Sequence, residues 1–204
     1  MTNQEEGYIK FQCDWEQKSF TFAKKNLRHI NEWRKKLYSL ELVGVDENGI
    51  GFGNLSLREE NSNRFYITGS ETGKHQDLTK DHYARVLDHD IDKNYIKCVG
   101  KVRASSESLT HAAVYEADPA FRGVIHIHHE RLWKLLKNKI PTTDPEVEYG
   151  TPEMAHEIKR LMEQRDVRIE KIVVMGGHKE GIITFGHDLD EAGEVLLKYY
   201  NELA

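Results

Sequence analysis

The sequence has few cysteines, few prolines and no long apolar run. Among its 204 residues there are 2 Cys and 4 Pro. Cys13 and Cys98 lie far apart and form no Cys-x-x-Cys motif, so we expect two free thiols in a reducing compartment. The longest apolar runs, such as residues 172–175, hold four or five residues, whereas a membrane-spanning helix needs about 20. Because the N-terminal stretch also lacks the basic and apolar segments of a signal peptide, we expect a cytoplasmic protein with no membrane partner.

The sequence also lacks a surplus of positive charge. It contains 29 Lys and Arg against 34 Asp and Glu, for a formal net charge of −5. Proteins that bind the phosphate backbone usually carry a basic surplus, so no nucleic-acid partner is expected. Disorder is excluded because hydrophobic residues make up 38% of the chain and are spread along it. With no linker-like stretch, we expect residues 1–204 to form a single domain, with residues 1–18 as a flexible N-terminal extension.

Helix and strand patterns alternate irregularly along the chain. Apolar residues recur at helical spacing within residues 19–40, while residues 122–128 are rich in β-branched side chains, as in a strand. Residues 171–175 and 182–185 flank a glycine-rich turn, which predicts an antiparallel hairpin. Because regular βαβ alternation is poor, we predict the α/β class with a central, mostly antiparallel sheet covered by helices. Capping patterns predict three further helices, which begin at Ser105 or Ser106, at Thr151 and at Asp188.

Histidine is abundant, with 11 residues, and three of these are candidate metal ligands. His126 and His128 lie two apart in a predicted strand, so they point to the same face and make half of a zinc-type site. A third candidate, His178, lies in the glycine-rich turn, where the backbone can approach a site closely. Three His with one open position are typical of catalytic zinc. Taken singly, the pair is more often surface or core histidines than a metal site, and His178 can equally be an exposed loop residue.

Polar residues at a predicted helix start form a second candidate site. Ser105 and Ser106 offer hydroxyl donors where helix N–H groups favour anions such as phosphate. Glu107 beside them can bind a metal or carry a proton. The alternative is that these residues only cap the helix. Residues 53–56 and 68–73 have the small and hydroxyl side chains of an anion-binding loop, although each by itself is also compatible with an ordinary turn.

Taken together and in order, these segments resemble the class II aldolase/adducin family, which includes zinc-dependent fuculose-phosphate and rhamnulose-phosphate aldolases. The resemblance extends from about residue 20 to the C-terminus. It implies a three-layer αβα fold with a central, mostly antiparallel sheet. The matching segments are GNLS at 53–56, ITGSETG at 67–73, SSE at 105–107, GVIHIHH at 123–129, His178, and FGHDLDEA at 185–192.

The resemblance also implies roles for individual residues. His126, His128 and His178 match the zinc-binding histidines, and Glu107 matches the residue that binds the resting metal and then acts as acid and base. The implied protein is a cytoplasmic homotetrameric lyase of carbohydrate metabolism that uses Zn²⁺ or another divalent metal. It cleaves or forms a C–C bond in a small, phosphorylated sugar. The residues that match phosphate-binding positions are Asn54, Thr72, Gly73, Ser105 and Ser106.

Departures from the family pattern leave the substrate and the reaction open. Ala104 stands where the family often has proline, and the turn after His178 is two residues longer. Tyr199 or Tyr200 lies where some members have a proton donor, and His111 is a candidate for supporting the metal site from one helical turn past Glu107. An epimerase or dehydratase of a sugar phosphate uses the same histidines. A non-catalytic, adducin-like interaction module is a further alternative, but it would be expected to lose them.

Overall fold

The computed structural model describes residues 8–60 and 62–202 of the chain. In this part, ten strands and six α-helices follow one another irregularly, and no helix has the length and hydropathy that crossing a bilayer requires. The strands are β1 (Gln12–Glu16), β2 (Gly44–Val45), β3 (Gly51–Phe52), β4 (Asn54–Arg58), β5 (Phe65–Thr68), β6 (Tyr83–Asp90), β7 (Tyr95–Gly100), β8 (Gly123–His128), β9 (Ile172–Val174) and β10 (Gly181–Gly186). The helices are α1 (Lys24–Ser39), α2 (Ser108–Ala117), α3 (Glu130–Leu136), α4 (Pro152–Met162), α5 (Arg165–Glu170) and α6 (Leu189–Asn201).

Eight strands form one sheet in the order β1-β7-β6-β5-β4-β8-β10-β9. The β1–β7 pair is parallel, and the other pairs in this sheet are antiparallel. The predicted hairpin of β9 and β10 is therefore confirmed, as is the mostly antiparallel sheet. Strands β2 and β3 pair separately.

Helices cover both faces of the sheet, which confirms the three-layer fold. Side chains alternate between faces along a strand, so β8 sends Val124 to one core and Ile125 to the other. Helices α2 and α4 pack on the Val124 side through residues such as Leu109 and Ile158. Helices α1 and α6 supply the opposite core. Burial of these two apolar layers is the main favourable free-energy term of the fold.

The helix ends agree with some predictions and correct others. Helix α1 begins at Lys24 rather than at residue 19. Helix α2 begins at Ser108 with Glu107 at its N-cap position, so Ser105 and Ser106 are not its N-caps. The predicted caps at Thr151 and Asp188 are confirmed, since their side chains accept from Met154 N and Glu191 N respectively.

The N-terminal segment extends the sheet. Residues 12–16 of the expected flexible extension form β1, which pairs with β7 at the sheet edge, while residues 1–7 lie outside the described part. Phe11 is buried, and Trp15 Nε1 donates a 3.0 Å hydrogen bond to the Gly100 carbonyl oxygen. Cys13 and Cys98 are free thiols with their Sγ atoms 3.9 Å apart. The segment is thus anchored by backbone pairing and by apolar burial together.

Candidate metal and substrate site

Strand β8 presents two histidines to the face of the sheet that helix α2 covers. His126 pairs with Asn54 of β4 on one side and with Ile183 of β10 on the other. His128 follows two residues later, so the alternation of the strand directs it to the same face. Their ring centroids are 5.0 Å apart, and both side chains are buried.

The turn between β9 and β10 brings His178 to this pair. Its ring centroid lies 5.0 Å from that of His126 and 4.6 Å from that of His128. The preceding glycine permits this close packing, because a Cβ on Gly177 would lie 1.8 Å from the Val147 carbonyl oxygen. The glycine-rich sequence of the turn thus has a steric reason, namely the approach of two backbone segments.

The three histidines can hold a metal ion. Each offers one ligand nitrogen, these nitrogens lie within 4.8 Å of one another, and all three residues are buried. Burial and the neighbouring imidazoles hold the pKa of His126 well below its ordinary value, so the ring is neutral. His126 Nδ1 donates to the Ile182 carbonyl oxygen at 3.2 Å, so its Nε2 carries the lone pair and faces His128 Nε2 at 3.2 Å. This donor set fits a divalent cation such as Zn²⁺.

Glu107 lies at the edge of the three-histidine cluster. Its side chain is buried, and Oε2 accepts a 2.7 Å hydrogen bond from Thr110 Oγ1. Its Oε1 lies 3.8 Å from His178 Nδ1 and has no hydrogen-bond partner among the described residues. A buried carboxylate oxygen is costly without a cation, a proton or a donor. Its surroundings therefore suit either metal binding or proton transfer.

Most of the predicted site residues line one cavity. Glu107, His126 and His178 form part of its wall. His128 lines an adjacent cavity with Tyr200. The rest of the first cavity's wall includes all five predicted phosphate-binding residues, Asn54, Thr72, Gly73, Ser105 and Ser106.

The rest of the cavity wall is polar and is backed by a positive charge. Asn54 is buried, and its Oδ1 has no hydrogen-bond partner among the described residues. Gly73 approaches Gly44 so closely that a Cβ would lie 2.2 Å from the Gly44 carbonyl oxygen. Behind this loop, the buried Arg34 donates from Nη2 to the Gly73 carbonyl oxygen at 3.1 Å. Arg34 was not identified from the sequence, and its charge favours an anion in the cavity.

Another buried network lies behind His126. His111 Nδ1 lies 2.7 Å from Ser56 Oγ, and Ser56 Oγ lies 2.6 Å from the Tyr115 hydroxyl oxygen. Burial lowers the pKa of His111 to about 3, so the ring is neutral. Its position agrees with a supporting role, which stays a prediction.

Tyr149 is a cavity residue that was not predicted from the sequence. It is buried, and its ring stacks on that of His178 at 4.3 Å with an interplanar angle of 20°. The available signal was its place directly before Gly150 and the helix cap Thr151. Of the two candidate proton donors, Tyr199 donates its hydroxyl to Glu170 Oε2 at 2.9 Å, and Tyr200 lines the adjacent cavity.

Comparison with known protein families yields one match over most of the chain. The model of the class II aldolase and adducin N-terminal domain matches residues 46–201. No curated protein matches the chain by sequence.

Several solved structures share the fold. An L-fuculose 1-phosphate aldolase is 20% identical, with a TM-score of 0.68, covering 91% of this chain and 87% of its own. YgbL from Klebsiella pneumoniae, a candidate aldolase, epimerase or decarboxylase, is 17% identical, with a TM-score of 0.65 and coverages of 88% and 86%. A sugar-phosphate aldolase from Thermotoga maritima is 18% identical, with a TM-score of 0.61 and coverages of 88% and 94%. At these identities the similarity concerns the fold alone.

Proposed function

Because the chain belongs to the class II aldolase and adducin N-terminal domain family, we propose that it is a metal-dependent lyase. Its reaction cleaves or forms a C–C bond in a small, phosphorylated sugar. One observation carries the proposal: three buried histidines offer ligand nitrogens within 4.8 Å of one another, and two of them share a cavity with Glu107 and with groups suited to an anion.

His126, His128 and His178 are the residues that would hold Zn²⁺ or another divalent cation, with Glu107 as a further ligand before substrate binds. Such a cation would supply Lewis acidity toward negative charge on substrate oxygens. The His126 ring is neutral, and its Nδ1 donates a hydrogen bond to the Ile182 carbonyl oxygen, so Nε2 stays available as a metal ligand.

Glu107 is the proposed acid and base. The hydrogen bond from Thr110 Oγ1 to Oε2 fixes the orientation of the carboxylate. Oε1 has no such partner among the described residues, so it is the atom that takes a proton from the substrate and returns it. Its burial keeps bulk water from competing for that proton.

The phosphate group is assigned to the polar part of the cavity wall that includes Asn54, Thr72, Ser105 and Ser106. Ser105 and Ser106 offer hydroxyl donors just before helix α2, and Asn54 and Thr72 offer further polar groups. Arg34 adds a buried positive charge behind the loop. Binding the phosphate here would position the reacting carbons beside Glu107, since energy from a remote group can orient the reacting centre.

A sugar-phosphate epimerase is the second candidate, and YgbL, with a similar fold, is itself a candidate for either activity. An epimerase breaks and remakes the same type of bond with the same residues, so only the products separate the two. We further propose that the protein is cytoplasmic and forms a homotetramer. Light scattering of the purified protein tests whether it is a tetramer. An adducin-like, non-catalytic role is disfavoured because all three histidines and Glu107 are retained.

The test begins with metal content. The purified protein should carry about one divalent ion per chain, and His126→Ala should abolish binding, because a three-histidine site loses a ligand. His156→Ala, at a half-exposed histidine paired with Asp92, is the control and should keep the ion. The holoenzyme is then incubated with ketose and aldose phosphates. Released aldehyde supports the lyase, whereas an isomerised sugar supports the epimerase, and absence of metal from the wild type contradicts both.

A further inference from the structure

We propose that Lys10 is a positioning residue, which holds Tyr149 against His178 and so gives the N-terminal segment a part in forming the metal centre. The inference rests on the proposed function, because His178 matters here as a metal ligand. It concerns a residue outside the segment that matches the family model, which begins at residue 46.

The ammonium group of Lys10 makes three contacts with one loop. Nζ donates to the Tyr149 carbonyl oxygen at 2.8 Å and lies 3.1 Å from Glu148 Oε1. It also lies 3.7 Å from the centroid of the Tyr149 ring. The Lys10 side chain is only 13% exposed, so these contacts are screened less than those of a surface lysine.

Tyr149 transmits this restraint to the proposed metal centre. Its ring stacks on His178 at 4.3 Å, which limits how far the imidazole can turn. The next residue, Gly150, has a φ of +67° and packs so that a Cβ there would lie 3.9 Å from Glu107 Oε1. The position of this loop therefore bears on both a proposed metal ligand and the proposed acid and base.

Lys10 is itself fixed to the sheet. Its carbonyl oxygen accepts a 3.0 Å hydrogen bond from Asn94 Nδ2, and Gln12 N donates to the Asn94 carbonyl oxygen at 2.8 Å. The next residue, Phe11, is buried in the core that β7 and helix α2 share. The ammonium group thus acts from a fixed support rather than from a free chain end.

The expected effect is on metal affinity and ligand geometry. Removing a direct hydrogen-bond partner of a metal ligand typically weakens binding about 10–100-fold, so for Lys10, one ring further away, we expect about fivefold. The variants are Lys10→Met, which keeps the stem and removes the charge, and Lys10→Arg, which keeps the charge and donors. Lys18→Met is the matched control, because Lys18 is an exposed lysine beyond the other end of β1 and pairs with Glu16.

Zn²⁺ affinity is measured by competition with a chromophoric chelator, and the geometry is followed by the visible absorption of Co²⁺ bound in place of zinc. Lys10→Met should bind Zn²⁺ about fivefold more weakly and shift the Co²⁺ bands. Lys10→Arg and Lys18→Met should resemble the wild type. Thermal unfolding and circular dichroism establish that each variant is folded.

The outcomes separate this inference from the function on which it rests. If the wild type binds Zn²⁺ and Lys10→Met binds it equally well with the same Co²⁺ spectrum, the inference is overturned and the metal centre stands. Equal losses in Lys10→Met and Lys18→Met overturn it as well. If Lys10→Met does not fold, Tyr149→Leu is measured instead, and unchanged affinity there has the same meaning. A wild type that binds neither ion overturns the proposed function and this inference together.

Discussion

The two oxygens of the Glu107 carboxylate have different surroundings. Thr110 holds Oε2, whereas Oε1 faces His178 without a hydrogen-bond donor among the described residues. Such asymmetry fixes the side chain in one orientation and leaves one oxygen for chemistry. An amide in place of the carboxylate keeps the shape and the Thr110 contact but removes the basic oxygen.

Glu107→Gln should therefore separate catalysis from metal binding. We expect turnover of a sugar phosphate to fall about 100–10,000-fold, as for loss of a general acid and base. Zn²⁺ content should persist because the three histidines remain. The measurement is steady-state kinetics together with metal analysis, and Glu153→Gln in the first turn of α4 is the control. Turnover close to that of the wild type would rule out the proposed role.

Glu116 should contribute pH-dependent stability away from the site. Hydrogen bonds from His89 and Lys159 lower the pKa of its carboxyl group to about 2. A carboxyl whose pKa is depressed on folding stabilises the protein above its unfolded pKa, and the effect fades as pH falls from about 4.5 toward 2. Glu116→Gln should lower the free energy of unfolding by about 1 kcal/mol at pH 7.

The measurement is urea unfolding at pH 7 and at pH 3, where the difference between Glu116→Gln and the wild type should shrink. The exposed Glu194 of α6 provides the control, because its change to Gln should have little effect at either pH. A difference for Glu116→Gln that grows toward low pH would contradict the assignment.

At the level of elements, local patterns predicted the strands with strong apolar signals and missed the polar ones. The hairpin of β9 and β10 follows from β-branched residues around a glycine-rich turn. Strand β1 has no fully buried residue; its five residues are exposed or half-buried. Its sequence therefore carries no apolar pattern that would predict a strand. Strand β6 carries a register shift between Val86 and Asp88, which interrupts its alternation. Strand β1 depends on pairing with β7, which lies about 80 residues further along the chain, and a local pattern does not contain this contact.

The same division holds for the site. The period-two rule predicted the shared face of His126 and His128. Local residue chemistry made the other residues that line the cavity candidates, and the resemblance implied their roles. The stacking of Tyr149 on His178 and the approach of Lys10 join segments far apart in the chain. Neither has a spacing or motif of its own, so neither could be predicted from the sequence.

The turn that carries His178 should tolerate no side chain at Gly177. A Cβ there would lie 1.8 Å from the Val147 carbonyl oxygen, so Gly177→Ala must displace one backbone segment. We expect the free energy of unfolding to fall by about 1–3 kcal/mol and Zn²⁺ affinity to fall with it. Urea unfolding and chelator competition measure both. At Gly44 the nearest atom to an added Cβ is 3.6 Å away, so Gly44→Ala is the control, and equal losses in the two variants would contradict this account.

At the scale of the whole molecule, the proposed metal centre ties several parts of the chain together. His126 and His128 come from a central strand, whereas His178 comes from the turn between β9 and β10. An ion bound by all three would stabilise the folded chain by mass action, because the unfolded chain does not bring these residues together.

Thermal unfolding should therefore depend on metal. At a free Zn²⁺ concentration about 1,000 times the dissociation constant, the stabilisation is about 4 kcal/mol, which should raise Tm by roughly 10 °C over the chelator-treated protein. His126→Ala should show no such difference, whereas His156→Ala should behave as the wild type. A Tm that changes neither with chelator nor with added Zn²⁺ would argue against a metal ion bound to the folded protein.

Strand β1 also shields an edge of the sheet from strand-to-strand association with other copies of the chain. It covers the backbone edge of β7, and its charged Asp14 and Glu16 make a poor template for a further strand. A chain trimmed to begin after residue 16 keeps helix α1 but loses β1. The unpaired edge of β7, with Ile96 and Val99, would then be open to strand-to-strand association. Aggregation, rather than a failure of catalysis, is the first hazard of working with such a fragment.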